Sequence, residues 1–329
     1  MVLAGLEWIV EHQALYNIRV LNLSFGTDAT QPYSVDPLDF AVERAWFSGI
    51  AVVVSAGNRG PSSGIINKPA DDPYVITVGS ADFKSTNGSS DDTVASFSSM
   101  GPTQDGFSKP DVVAPGISLV SERAVGSTID VANPQARVGD SYFKGSGTSQ
   151  SAAIVSGMLA LMYQANPALT PDVAKAIVVG TAQRYLSRQD DGAGAGVIDV
   201  AAAVKGSLKG KYFSRPANQG LTPSTGLGSL EQSRGTFHVY ADLNGDGVAE
   251  LVTGEVDVMG TTWDAGSWAA RSWTAGAWGD NAWSAYTAET PGWTDTTWSG
   301  RSWTGTTWDA RSWTDASWEA RSWSSAGWS

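Results

Sequence analysis

The chain has 329 residues, of which 42% are hydrophobic, so it can bury a sizeable core in one or two domains. Its formal net charge of −12 and its pI near 4.5 argue against a nucleic-acid or anionic-membrane partner, because both recruit Lys and Arg. The absence of cysteine excludes disulfides and thiol chemistry, and no run of about 18 apolar residues is present to span a bilayer.

Residues 1–205 alternate helical and strand patterns, which predicts an α/β fold with a mostly parallel sheet flanked by helices. The predicted elements are a helix at 2–16, strands at 18–26, 49–58 and 74–80, and helices at 36–48, 150–164 and 171–184. The strand at 49–58 is apolar nearly throughout, as expected for a strand buried on both faces. Thr170 is expected to cap the last helix, with Pro171 as its first residue.

The composition changes after residue 205. Residues 206–235 are rich in Gly, Ser, Pro, Lys and Gln, which predicts a linker, and 236–260 predict a small β segment. In 261–329 a Trp recurs every five residues, with Ala288 at the single missed position. Because five residues match neither a helix nor a strand period, this tail is either a β-solenoid or a Trp-rich stalk without a fixed fold. In both cases its Trp side chains favour contact with cell-wall glycan.

A candidate nucleophile lies in "GSGTSQSAAIVSG", residues 145–157. Ser149 stands in a glycine-rich turn at the start of a helix-like run, where the helix dipole and unpaired N–H groups favour developing negative charge. Ser is also a common helix N-cap, so this motif alone leaves both roles open. Asn58 ends the buried strand at 49–58, and its amide is the type of donor that an oxyanion needs, although Asn is also an ordinary turn residue.

Six stretches together resemble the subtilisin-like serine proteases (subtilases), and they occur in the order of that family across residues 1–205. They are "IRVLNLSFG", "GIAVVVSAGN", "DPYVITVGS", "ASFSSMGPTQDGFSKPDVVAPG", "GSGTSQSAAIVSGMLALM" and "NPALTPDVAKAIVVGTA". The resemblance implies a serine endopeptidase that acts on polypeptide substrates, with Ser149 as the acylated nucleophile and Asn58 as the side-chain half of the oxyanion hole. It also implies a backbone edge for an extended peptide and a primary specificity pocket: Ser24, Phe25 and Gly26, and Ser55, Ala56 and Gly57. Gln150, Ala153 and Ile154 depart from the family's usual serine motif without affecting proton transfer.

The general base of this chemistry is missing from the sequence. In the family, the Asp and His motifs precede the strand ending in "LSFG", and this chain begins one helix before that strand. Its two histidines, His12 and His238, belong to neither motif, and surface roles are expected for both. We therefore expect the chain to be the C-terminal portion of a secreted or cell-surface protease, inactive alone and without a signal peptide of its own. The alternatives are a short product complemented by a separate chain, or a non-catalytic surface protein acting through the Trp tail.

"DLNGDGVAE" at 242–250 spaces oxygen ligands as a calcium loop does. The expected ligands of a structural Ca²⁺ are the side chains of Asp242, Asn244, Asp246 and Glu250 and the carbonyl of Val248. A full EF-hand would have a Glu at position 253, where this chain has Thr253, so the loop is more similar to the calcium loops of β-propeller-type repeats. A solvated Asp/Asn/Gly turn is the simpler alternative. No cofactor is expected for catalysis.

Overall fold

The computed structural model describes residues 2–270 except 62–63, 87–88, 185, 187–190, 242, 245, 247, 249 and 258–261. The helices of this part are α1 (Val2–Tyr16), α2 (Pro37–Phe47), α3 (Thr128–Ala132), α4 (Thr148–Ala165), α5 (Pro171–Thr181), α6 (Val200–Ser207), α7 (Leu230–Arg234) and α8 (Ala265–Ala269). The strands are β1 (Val20–Leu23), β2 (Ala51–Ser55), β3 (Ile76–Asp82), β4 (Thr93–Val94), β5 (Val112–Pro115), β6 (Leu119–Glu122), β7 (Arg137–Val138), β8 (Tyr142–Gly145), β9 (Tyr240–Ala241) and β10 (Glu250–Leu251).

A five-stranded sheet forms the centre of the fold. Strands β1, β2, β3 and β5 run parallel in that order, and β4 pairs antiparallel with the end of β3. Every residue of β2 is buried, which accounts for its apolar sequence. In the described part of the chain β1 pairs with β2 alone, so its other side is an open edge.

Helices cover this sheet, which confirms the predicted α/β class. Helix α4 packs along β1, β2, β3 and β5, α2 and α5 pack on β2, and α1 packs on α2. Thr170 accepts a hydrogen bond from Val173 N, and Pro171 begins α5, as the sequence predicts. Helix α4 starts at Thr148, two residues before the predicted boundary, so Ser149 lies within its first turn.

A small antiparallel sheet, β6–β8–β7, precedes α4 and was not predicted from the sequence. Its loops are held by Asp130, which accepts hydrogen bonds from Arg123 Nε at 2.5 Å and Arg137 Nε at 2.7 Å. The side-chain hydrogen bond from Arg123 keeps the pKa of Asp130 well below its usual range. Strand β8 leads directly into the turn that carries Ser149.

The segment that follows α6, the returning segment, comes back to the first half of the chain and packs on α2. Ser224 N donates to both carboxylate oxygens of Glu43, at 3.0 and 2.8 Å, and Ser233 Oγ donates to Asp36 Oδ1 at 2.9 Å. Both donor residues lie within the predicted linker 206–235, whose status as a separate segment stays a prediction. No helix among the described residues is long and apolar enough to cross a membrane.

Two tryptophans of the pentad repeat also belong to this returning segment. Trp268 on α8 is buried and packs edge-on against Phe40 of α2, with ring centroids 5.2 Å apart. Trp263 packs against Trp268 at 4.8 Å. The first two repeats therefore contribute to the core of the described unit, whereas residues 271–329, on which the tail predictions rest, lie outside the described part.

Candidate active site

The end of β2 and the start of α4 meet at Asn58 and Thr148. Both Thr148 N and Thr148 Oγ1 donate to Asn58 Oδ1 at 2.9 Å. Gly57 N in turn donates to Thr148 Oγ1 at 3.2 Å. Gly57 has a φ of +105°, a conformation that glycine adopts without strain, and this lets the chain turn from β2 toward α4. Asn58 is thereby fixed beside the residue that precedes Ser149.

The amide of Asn58 has a defined orientation. Its oxygen accepts both Thr148 hydrogen bonds, while its Nδ2 is buried and has no hydrogen-bond partner among the described residues. A buried donor without a partner is costly, so its presence in a native site calls for an explanation. An anion that forms only during a reaction would supply the missing acceptor.

Ser149 contacts the segment that follows β1. Ser149 Oγ donates to Ser24 O at 3.4 Å, and Ser24 Oγ donates to Ser149 O at 3.1 Å. The glycine turn before α4 is anchored to the segment after β5, because Gly147 N donates to Gly116 O at 2.8 Å. The predicted nucleophile therefore stands between the ends of β1 and β2, in the first turn of an 18-residue helix.

The two predicted substrate-binding segments lie at the carboxyl-terminal ends of β1 and β2. Strands β1 and β2 are adjacent and parallel, with Leu23 opposite Val54, so residues 24–26 and 55–57 leave the sheet side by side. Both of their glycines, Gly26 and Gly57, face the side chain of Asn67. The substrate-binding roles stay predictions, as do the roles of Ser149 and Asn58.

The sequence analysis missed a buried charged cluster near these strand ends. Lys68 Nζ lies 2.6 Å from Asp39 Oδ2 and 2.5 Å from Asp71 Oδ2, and all three side chains are buried. Burial opposes a charge on Lys68, but Asp39 and Asp71 raise its pKa above the usual range. Asp39 is 29 residues from Lys68 in the sequence, and no sequence motif pairs the two.

Both histidines have partners away from the nucleophile. His12 stacks between Trp8 and Tyr16 on α1, with ring centroids 4.1 and 5.9 Å away. His238 Nε2 lies 2.9 Å from Glu231 Oε1 on α7. Neither histidine is therefore assigned as the base for Ser149.

The predicted calcium loop is described only in part. Asn244 Oδ1 accepts from Asp246 N at 2.9 Å, Asp246 Oδ1 accepts from Val248 N at 2.8 Å, and Glu250 Oε1 accepts from Asn244 Nδ2 at 2.8 Å. These oxygens suit a hard cation in type, but no group of three His, Cys, Asp or Glu side chains placed to hold a metal occurs among the described residues. Asp242 lies outside them.

Comparison with known proteins identifies the family. The sequence profile of the Subtilase family matches residues 2–203. The chain belongs to the subtilase family. Over 214 residues it is 41% identical to the serine protease AprX of Bacillus subtilis (strain 168). This alignment covers 62% of the chain and 48% of AprX. It is 32% identical over 206 residues to Subtilisin amylosacchariticus of Bacillus subtilis subsp. amylosacchariticus, covering 62% of this chain and 44% of that protein.

This subtilase spans about half the length of the curated relatives it matches. Among solved structures, the prenylagaramide maturation protease PagA is similar with a TM-score of 0.47 at 20% identity, over 62% of this chain and 67% of PagA. The match of the family profile confirms the predicted resemblance to subtilisin-like proteases at the level of the family.

Proposed function

We propose that this chain supplies the nucleophile and the oxyanion hole of a serine endopeptidase that cleaves polypeptides, in a secreted or cell-surface setting. The observation that carries the proposal is the buried, unpaired Nδ2 of Asn58, held by Thr148 next to Ser149. Family membership supports the same chemistry.

In the proposed reaction, Ser149 Oγ attacks the carbonyl carbon of the scissile peptide bond, and its proton passes to a base. The carbonyl oxygen becomes an oxyanion that accepts a hydrogen bond from Asn58 Nδ2, and the leaving amine then takes the proton. Water releases the acyl group from Ser149 in a second addition of the same kind. An extended substrate would pair with the backbone at Ser24–Gly26.

The base must be an imidazole outside the described site, because His12 and His238 have other partners. The open edge of β1, next to Ser24, is a place where a further strand carrying that imidazole could pair. Without it, the chain is expected to hydrolyse no peptide measurably, since the members of a triad act as a unit and the loss of the base costs on the order of 10⁶ in turnover.

The test compares the protein purified from its natural source with recombinant 1–329. A fluorophosphonate probe should label Ser149 in the natural protein, and casein cleavage should disappear in its Ser149→Ala variant. Recombinant 1–329 should cleave no casein. Labelling at another serine, or casein cleavage that survives Ser149→Ala, would contradict the proposal.

We also propose that the 242–250 loop binds Ca²⁺ as a structural ion through the oxygens of Asp242, Asn244, Asp246, Val248 and Glu250. Alternation of the side-chain oxygens along the loop supports this. Calorimetry should show calcium binding at or below millimolar concentration, and Asp246→Ala should weaken it at least about tenfold. A calcium titration that releases no more heat than buffer dilution would contradict the proposed calcium site.

A further inference from the structure

The returning segment contacts the residues that directly follow 24–26, the backbone edge predicted to pair with an extended substrate. Asp28 accepts two hydrogen bonds from Thr236, one from the backbone N to Oδ1 at 2.7 Å and one from Oγ1 to Oδ2 at 2.6 Å. Thr27 Oγ1 donates to Ser233 O at 2.7 Å. The two residues that follow the edge are therefore both tied to the end of α7 and the turn behind it.

The two segments also approach each other closely at Gly235, which lies between these two contacts in the sequence. A β-carbon placed on Gly235 would collide with Asp28 Oδ1 and would lie 2.8 Å from Ala29 N. Gly235 has a φ of +60°, a conformation that glycine adopts without strain. A larger residue would push the returning segment away from Asp28, so the close contact depends on glycine here.

The backbone next to the edge is already used by a different partner. Thr27 N donates to Lys68 O and Lys68 N donates to Thr27 O, both at 2.9 Å. These bonds hold the main chain of Thr27 but not its side chain, nor any part of Asp28. The two side chains are consequently the link between the edge and the returning segment.

The end of α7 can serve as a support because it is anchored independently of the edge. Ser233 Oγ donates to the buried Asp36 Oδ1 at 2.9 Å. At the start of α7, Glu255 Oε2 accepts from Leu230 N at 2.9 Å, and Glu255 Oε1 accepts from Ser229 Oγ. A displacement of α7 would break these bonds as well, so Thr27 and Asp28 are tied to a part of the fold with its own anchors.

The position of a backbone edge matters for a substrate that pairs with it. Main-chain hydrogen bonds supply much of the affinity in this mode of peptide binding, and a small displacement of a positioning element can cost a large factor in rate. The family profile matches residues 2–203, so these supporting contacts come from outside the matched stretch. They are an addition of this chain to the subtilase domain.

We infer that Thr27 and Asp28 are positioning residues through which the returning segment holds the 24–26 edge in place for an extended peptide substrate. The inference rests on the proposed function, because it needs residues 24–26 to pair with the substrate. A peptide long enough to pair with the edge then depends on Asp28. A small ester without a peptide backbone reacts at Ser149 and does not.

The experiment measures kcat and KM of the natural protease for an internally quenched eight-residue peptide and for p-nitrophenyl acetate. Asp28→Ala removes both bonds to Thr236 and should lower kcat/KM for the peptide at least about fivefold, mainly through KM, while the ester stays within about twofold. Thr27→Val keeps the backbone bonds to Lys68 and should act in the same direction. Asp28→Asn is the rescue variant, because its amide can accept from Thr236 N and donate to Thr236 Oγ1.

Glu255→Ala is the matched control. It removes a carboxylate that also accepts a backbone N–H and a hydroxyl of the returning segment but does not touch the edge. Its ratio of kcat/KM for peptide over ester should stay within about threefold of the wild type. A melting curve of each variant verifies folding, and Thr27→Val replaces Asp28→Ala if the latter does not fold.

An unchanged peptide-to-ester ratio in Asp28→Ala overturns the inference. An equal fall of this ratio in Glu255→Ala also overturns it, because the effect would then be one of general stability. In both cases the natural protein still cleaves peptides and is labelled at Ser149, so the proposed function stands. Absence of cleavage and of Ser149 labelling in the natural protein would overturn the proposed function and this inference together.

Discussion

At the scale of single residues, Thr148 decides how Asn58 presents its amide. An Asn side chain has one acceptor and one donor end, and only the donor end can stabilise an oxyanion. Thr148 occupies the acceptor end with two hydrogen bonds of 2.9 Å. The donor end is thereby left for the oxyanion of the proposed reaction, and a flipped amide would lose the bond from Thr148 N.

Thr148→Val should therefore lower kcat with little change in KM. Valine keeps the shape of threonine and the backbone donor but removes the hydroxyl donor. Two hydrogen bonds of the hydroxyl are lost, the one donated to Asn58 Oδ1 and the one accepted from Gly57 N. At about 1 kcal/mol, the loss of the bond to Asn58 predicts a decrease in kcat of about five- to tenfold, and the loss of the bond to Gly57 lowers stability. Because the oxyanion exists only in the transition state, substrate binding should be nearly unchanged.

The measurement is steady-state kinetics of the natural protease. Thr181→Val, which removes a hydroxyl that bonds to Ile177 O within α5, is the matched control and should keep full kcat. An equal effect of both substitutions would show that Thr148 acts through general stability instead of through Asn58.

Sequence alone could nominate Ser149 and Asn58 as candidate site residues but could not predict their partners. Both residues lie in short motifs whose neighbours are adjacent in sequence. Thr148 and Asn58 are 90 residues apart, so no local motif predicts their contact. Likewise, the contact of Asn67 with both Gly26 and Gly57 is visible only in the structure. Such relations depend on the register of β1 against β2, which no single motif specifies.

At the scale of elements, α2 joins the sheet to the returning segment through buried carboxylates. Glu43 accepts Ser224 N with both oxygens and shares a hydrogen bond with Asp72. Burial, together with the charge of Asp72, raises the pKa of Glu43 from 4.5 to about 9. The native protein therefore holds a proton at neutral pH that the unfolded chain would release.

This predicts that stability falls as pH rises between the unfolded and the folded pKa of Glu43. Below about pH 4.5 the carboxyl is protonated in both states, and the stabilisation is complete. Between about pH 4.5 and pH 9 unfolding releases a proton, so each increase in pH favours the unfolded chain. Glu43→Gln imitates the protonated group and should remove this dependence.

Thermal melts from about pH 5 to pH 9 test the prediction. The melting temperature of the wild type should decrease more steeply than that of Glu43→Gln, and the variant should melt at least about 2–4 °C higher near pH 9, where about 1 kcal/mol corresponds to that shift. Glu122→Gln, an exposed position on β6, is the control and should follow the wild type. If the melting temperatures of Glu43→Gln and the wild type changed in parallel with pH, the prediction would be contradicted.

Elements were predictable in proportion to their length and periodicity. Helices α1, α2, α4 and α5 and the buried strand β2 were predicted to within a few residues, because their apolar patterns are long and uninterrupted. Strands β6, β7 and β8 have two to four residues each and lie among polar side chains, so their sequence shows no alternation. Asp130 and its two arginines hold the intervening loops through contacts that no local sequence pattern specifies.

At the scale of the whole molecule, the described unit ends well beyond residue 205. The returning segment buries Leu230, packs Trp268 on Phe40 of α2, and supplies donors to Glu43 and Asp36. Composition suggested a linker there because Gly, Ser and Pro are frequent. Within this predicted linker the chain approaches α2 closely at Gly226, whose added β-carbon would lie 2.7 Å from Phe40 Cγ.

Removing residues 217–329 should therefore destabilise the protein far more than removing 271–329. The longer deletion exposes the face of α2 and loses the burial of Trp268 and Leu230, each worth about 1.5–3 kcal/mol, together with the donors to two buried carboxylates. It should lower the melting temperature by at least about 10 °C or prevent soluble expression. The shorter deletion leaves every described contact with α2 in place, so its melting temperature should stay within about 2 °C of the full chain. Equal melting temperatures for the two truncated chains would favour the predicted linker at 206–235 and would show that the contacts with Glu43 and Phe40 add nothing to the stability of the fold.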